Sequence, residues 1–370
     1  MVPAHDLVGR AGVLSRIVLE LTGGRSVLLA APRREGKSSI AREVLRQLAE
    51  DHGWLTASLD FFRLTSKREC ADELVRQLLE SSHSLSSRVK RFAGAAKGVM
   101  SGLEPHFTIA EMEFGLHFGP RQVDEEHAFR NALQLPEKLA EKEGKHVLVF
   151  MDEFQDAGKN LGPNVYKVMR SYFQEQPNTK HLFAGSHQSV IRALFGRGNA
   201  ALLRYATEVP LEAIPASEWV DYIVRKFEQI EVSCSPILAS QLVEATGGHP
   251  ADTMVACDQL TTTLREHSSK EVTADSLAFA MTRTHAALRL IFDEIWSELG
   301  TIAYARLVAH RLAFGLPLST GLRPVQATRA IAAVADKGLV MRQGGKWVFR
   351  EPLFRDYIRN LGPQPSAAAP

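Results

Sequence analysis

Two short stretches carry residue types at spacings that suit phosphate chemistry. The first runs Ala31, Pro32, Arg33, Arg34, Glu35, Gly36, Lys37, Ser38, Ser39. It matches G-x-x-x-x-G-K-[ST] except at the first position, where alanine replaces glycine. Such a loop captures anions because successive backbone N–H groups and a helix N-terminus converge on a phosphate. Gly36 lets the backbone approach closely, Lys37 reaches the β- and γ-oxygens, and Ser38 can ligate Mg²⁺. The bland alternative is a chance Gly-Lys-Ser at a helix start. Ala31 would carry a cost of about 1 kcal/mol if its position demanded a left-handed backbone.

The second stretch is Val147-Leu-Val-Phe-Met-Asp152-Glu153, an apolar run closing on two carboxylates. A buried strand in a parallel sheet delivers such an end beside the phosphate loop. Asp152 would then hold Mg²⁺ through water, and Glu153 would orient or activate an attacking water. Alone, this is an ordinary strand ending in an acidic turn. Both stretches in this order point to binding and hydrolysis of a magnesium nucleoside triphosphate.

These side chains need a scaffold. Residues 11–22 read as a helix, 26–31 as a buried strand and 38–50 as a helix. A strand at 54–62 and a helix at 68–81 follow, a β-α-β-α start to a parallel sheet. Residues 84–102 read as an inserted or flexible segment, and 107–118 as a hairpin or edge strand. A helix at 125–142, strand 146–152, helix 163–174, strand 180–186 and a last short strand at 209–214 complete the core. After Pro215 only helices appear, at 217–230, 236–246 and 252–266, broken at Gly247-Gly-His-Pro250. Residues 286–361 hold helices and then two short strands about Gly344-Gly345, which together suggest a winged helix-turn-helix. The predicted organisation is a P-loop α/β core over 1–214 with an insertion at about 84–122, a helical lid over 215–285, a winged helix over 286–361 and a disordered tail over 362–370.

With both motifs in place, the chain resembles the archaeal-type ATPases of the AAA+/STAND P-loop group, relatives of the origin-recognition ATPases. The matching residues are Leu7-Val-Gly-Arg10, Pro32 to Ser38, Met151-Asp-Glu-Phe-Gln155, Phe183-Ala-Gly-Ser186, Gly247-Gly-His-Pro250 and Phe349-Arg-Glu-Pro-Leu-Phe354. The likeness covers about 1–361. It implies that Leu7, Val8 and Gly9 lie near the adenine and that Ser186, with His187 the neighbouring candidate, is the sensor facing the γ-phosphate. It implies that Arg204, or next Arg197, is an arginine finger stabilising charge on the transferring phosphoryl group; a surface ion pair is the plain alternative. His249 and Pro250 resemble a lid motif that touches nucleotide, although the same pair also reads as a helix start. The chain departs from the family at Ala31 and has no basic residue after Pro250 in ADTMVACDQL. Both departures favour slow turnover, suiting a switch more than a motor.

The chain of 370 residues has 44 Lys+Arg against 42 Asp+Glu, a net charge of +2, so any polyanion-binding surface must be local. Residues 321–361 provide one: eight basic side chains, including Arg329, Arg342 and Lys346, face Asp336, Glu351 and Asp356. Such a module binds DNA through phosphate contacts, or else mediates protein contacts. Arg88-Val-Lys-Arg91 with Lys97 is a second basic patch that reads first as a solvated face. Cys70, Cys234 and Cys257 lack metal spacing, and no apolar run reaches bilayer length, so a cytoplasmic, reduced protein is expected. No H-E-x-x-H or G-x-S-x-G occurs. ATP and Mg²⁺ are the expected ligands; DNA, a protein client or a second copy are candidate partners.

Overall fold

The structure, a computed structural model, describes residues 7–82, 125–196 and 200–362. The expected insertion, the Arg88–Arg91 patch, Arg197 and the tail beyond 362 lie outside the described residues. The chain divides into two compact units. The first comprises residues 12–31 and 37–210, and the second 7–11, 32–36 and 211–362.

In chain order the first unit runs α1 (Ala11–Thr22), β1 (Ser26–Ala30), α2 (Lys37–His52), β2 (Leu55–Asp60), α3 (Lys67–Ser81), α4 (Glu125–Glu143), β3 (Val147–Asp152), a 3₁₀ turn (Phe154–Asp156), α5 (Ala157–Asn160), α6 (Val165–Phe173), β4 (Thr179–Gly185), α7 (Gln188–Phe195) and β5 (Ala206–Glu208). The five strands form one sheet in the order β2-β3-β4-β1-β5, and every pair is parallel. β1 is buried along its whole length and β3 up to Met151, the pattern of strands covered on both faces. Leu28, Val149, Met151, Phe154, Phe183 and Phe129 share one apolar core. Parallel register aligns the carboxyl ends of the strands, so β1, β3 and β4 each release their loops at the same edge.

The last strand differs from expectation. It is Ala206–Glu208 rather than 209–214. Val209 donates one more bond to the Leu28 carbonyl at 3.0 Å, and Pro210, with no N–H, stops the ladder there.

The second unit holds α8 (Ala216–Gln229), α9 (Pro236–Thr246), α10 (Pro250–Glu266), α11 (Ala274–Gly300), α12 (Ala305–Ala313), α13 (Pro324–Asp336), the antiparallel pair β6 (Val340–Gln343) and β7 (Lys346–Phe349), and α14 (Pro352–Asn360). The hairpin turns at Gly344-Gly345, as its sequence predicts. The expected lid boundary near 285 falls inside α11. That helix starts from a Thr273–Ser276 capping box and has no glycine or proline before Gly300, so nothing interrupts it. Two apolar clusters fill this unit, one around Trp219, Phe227 and Leu260, the other around Phe292, Val334 and Phe354.

Candidate nucleotide site

At the carboxyl edge of the sheet the first unit gathers five of the expected residues. Ser38 Oγ donates to Asp152 Oδ2 at 2.6 Å. The Glu153 amide donates to Asp152 Oδ1 at 3.0 Å. Burial pushes the Asp152 carboxyl above the usual range, opposed by the Ser38 bond, while the Glu153 charge adds to the rise. Lys37 is buried, and its Nζ donates to the Ala31 carbonyl at 2.8 Å. The parallel register puts Asp60 directly opposite Asp152, a second acid at this edge that sequence pattern did not single out.

Glu153 adopts a left-handed backbone, φ 45°, at the strand-to-turn junction. Its Oε2 accepts from Ser186 Oγ at 2.7 Å, from the Ser186 amide at 3.2 Å and from Gln155 Nε2 at 2.5 Å. Burial favours the protonated form, but the Gln155 and Ser186 donors and the nearby Lys37 charge outweigh it. The carboxyl is held below its usual range. Gln155 Oε1 is buried and has no hydrogen-bond partner. It lies against Gly185, where any Cβ would come within 2.6 Å of it.

Ala31 does not carry the anticipated strain. The left-handed positions are Arg34, φ 67°, and Gly36, φ 87°; Ala31 is not among them. The conformational cost therefore moves three residues downstream.

Arg204 stands elsewhere. It is exposed, also left-handed, and precedes β5 at the amino-terminal edge of the sheet. There it lines a cleft of about 750 Å³ with Arg25, Lys180, Phe173 and Tyr205. A strand length separates that edge from the Lys37 loop, on the order of 16 Å. Arg204 thus cannot reach the phosphate loop of its own chain.

Val8, Gly9, Pro32, Arg33, Arg34, Glu35, His249 and Pro250 belong to the second unit. Val8 packs with Ile214 and Trp219, and a Cβ at Gly9 would meet Ile214 at 2.6 Å. His249 is the N-cap of α10, with Pro250 at its first turn, and its Nδ1 accepts from the Asp252 amide at 3.4 Å. Its ring also lies 3.5 Å from Asp252 Oδ1 and 3.7 Å from Glu351 Oε1. Burial opposes the imidazolium, yet Asp252 and Glu351 prevail and raise its pKa. Arg34 donates to Asp252 Oδ1 and, at 2.8 Å, to Glu351 Oε2. Asp252 and Glu351 were not foreseen. Each sits at or near the proline-led start of a helix, and their pairing with position 34 has no signature in the sequence.

No known protein family and no curated protein matches the chain. Solved structures do. The Walker-type ATPase PABY2304 of Pyrococcus abyssi superposes with a TM-score of 0.71 at 18% identity, over 96% of this chain and 97% of that one. The ORC2 protein of Aeropyrum pernix, in its ADPNP–ADP complexes, gives 0.61 at 13% identity, over 95% and 92%. Cdc6p from Pyrobaculum aerophilum gives 0.51 at 12%, over 95% and 93%. The chain shares the overall fold of these structures, with the expected parallel sheet and helical C-terminal region both present. Among the described residues no helix is long and apolar enough to cross a membrane, and the three cysteines are free thiols.

Proposed function

We propose that this protein binds ATP with Mg²⁺ and hydrolyses it slowly, as a nucleotide-controlled switch that includes a C-terminal winged-helix module. One observation carries the reading: the Ser38 hydroxyl and Asp152 carboxylate meet at 2.6 Å, with Glu153 tied to Ser186 beside them. Both donors are hard oxygens, the set that Mg²⁺ prefers. Among the described residues Asp152 is bonded by a hydroxyl and an amide, not by an ammonium or guanidinium, so its charge is left for a cation. Magnesium, when bound, neutralises charge on phosphate oxygens.

The chain's own residues supply the rest. Gly36 permits the close backbone turn, and Lys37 exchanges its Ala31 carbonyl for phosphate oxygens. Glu153 takes the proton of an attacking water. Its bonds to Ser186 and Gln155 hold the carboxylate in place. Slow turnover rests on the lack of a basic residue after Pro250 in ADTMVACDQL rather than on strain at Ala31. Ser186 faces the γ-phosphate, and His249 and Pro250 serve as nucleotide-sensing lid residues. Arg204, remote from its own loop, acts as an arginine finger only toward a second copy. The fold shared with ATPases, one of them solved with ADPNP and ADP, supports the nucleotide assignment.

The test is calorimetric titration with ATP, and phosphate release by the wild type and Glu153→Gln. Heat on titration, with release lost in the variant, is the expected result. No heat ends the reading. Binding with equal background release in both proteins reduces it to a non-hydrolysing scaffold. Lys37→Ala should abolish binding, and undiminished binding would count against the loop assignment.

A second reading, a DNA-binding ATPase, is favoured by one feature. On the winged-helix module Arg329 is exposed, and Arg342 lies 5.1 Å over the Trp347 ring on the hairpin beside exposed Lys346. Duplex binding that weakens steeply with salt supports it, and a flat, weak curve with and without ATP removes it.

A further inference from the structure

Four consecutive residues of the phosphate loop are held by residues far along the chain, all within the second unit. Pro32 lies against Gly338, two residues past α13, where any Cβ would come within 2.4 Å of the proline ring. Arg33 reaches Glu298 at 3.8 Å, an exposed pair of little weight. Arg34 is bonded by Asp252 and Glu351, both buried. Glu35, also buried, receives Arg350 Nη2 at 2.9 Å, and its carbonyl accepts from Arg10 at 3.4 Å. Arg34 and Arg350 thus interlock with Glu351 and Glu35, adjacent residues on each side paired crosswise. His249, Asp252 and Glu351 have the donor types of a cation site, with ligand atoms within 4.8 Å of one another. The cation in place is the Arg34 guanidinium.

The grip also carries built-in costs. Arg34 holds a left-handed backbone. Asp252 Oδ2 is buried with no hydrogen-bond partner. A state held by strong ionic bonds but burdened with strain and an orphaned oxygen is suited to release, because an alternative arrangement can recover both. We propose that Pro32–Glu35 are the tongue of a latch: Asp252 of α10, Gly338 just past α13, and Arg350 and Glu351 clamp the loop tip, and the clamped loop exchanges nucleotide slowly. The exchange half of this proposal rests on the ATP reading, whereas the clamp itself does not.

The experiment uses the full chain, first without nucleotide. Hydrogen–deuterium exchange at residues 33–37 is compared among wild type, Glu351→Gln and Arg350→Gln, with circular dichroism melting as the check on folding. Exchange about tenfold faster in the folded variants is expected, the signature of a locally opened loop. Unchanged protection in a folded variant overturns the latch. If Glu351→Gln fails to fold, Arg350→Gln decides alone, because its side chain is 24% exposed and the glutamine amide can still donate to Glu35. The second arm measures dissociation of a fluorescent ADP, expected to be several-fold faster in the variants. Equal dissociation rates refute the control of exchange. Absence of ADP binding by wild type refutes the ATP reading, and the exchange arm still judges the clamp.

Discussion

Two acid clusters, one half-buried at the sheet edge and one buried at the loop tip, use the same side-chain chemistry to opposite ends. At the sheet edge Asp152 and Glu153 are bonded by hydroxyl, amide and carboxamide donors. Neutral donors orient a carboxylate without forming an ion pair with it, and the nearest cation, Lys37, acts on both acids through space rather than by a direct bond. At the loop tip Asp252, Glu351 and Glu35 meet guanidinium groups directly. Those charges are already spent on structure. Acidity and burial alone therefore do not mark a reactive site; the identity of the donors does.

The contrast can be broken by paired substitutions. The largest effect is expected at Glu153→Gln, which removes the base while keeping its bonds to Ser186. Phosphate release should fall by roughly 10²–10⁴-fold with ATP affinity preserved, and a single-turnover assay reads it. Next is Asp252→Asn, which leaves Arg34 short of a charge partner. A loss of about 3 kcal/mol of stability is expected, seen as a lower urea midpoint, whereas Asp152→Asn should cost stability little and remove the magnesium dependence of nucleotide binding. If both variants lose stability equally, the distinction between the clusters fails.

A smaller effect concerns pH. The raised pKa of His249 means that its contribution is complete below the ordinary imidazole range and lost as pH rises through the folded-state value. The groups facing it are Asp252, Glu351, Glu35 and Arg34. Thermal midpoints of the wild type should decline above neutral pH, and His249→Asn, which can still cap α10, should flatten that slope. An identical slope in both would remove the imidazole from the cluster. The smallest effect is expected at Arg33→Ala. Its exposed pair with Glu298 is worth about 0.5 kcal/mol or less, so an unchanged melting curve fits, and a large shift would mean that the loop tip is held differently.

Much of the site was legible in the linear order. Asp152 ends β3, and Lys37, Ser38, Glu153 and Ser186 come in the connections after β1, β3 and β4; in a parallel sheet that suffices to bring them to one edge. The boundaries were less so. The strand expected at 209–214 ends where Pro210 cannot donate, and α11 runs through the predicted junction near 285 because nothing in its sequence breaks it. Arg204 was readable as a basic residue after α7, but its remoteness from Lys37 depends on which end of β5 it precedes.

What the residues determined unaided is the chemistry on offer: an anion-binding turn, two acids on an apolar strand, and helices with a final hairpin. These follow from local rules of spacing, periodicity and turn residues. Only the tertiary structure decided which charges are free and which are consumed. Arg34 and Glu351 lie 317 residues apart, and no local preference encodes such a pair. It exists because packing closes a very long loop and removes both groups from water, where they must neutralise each other.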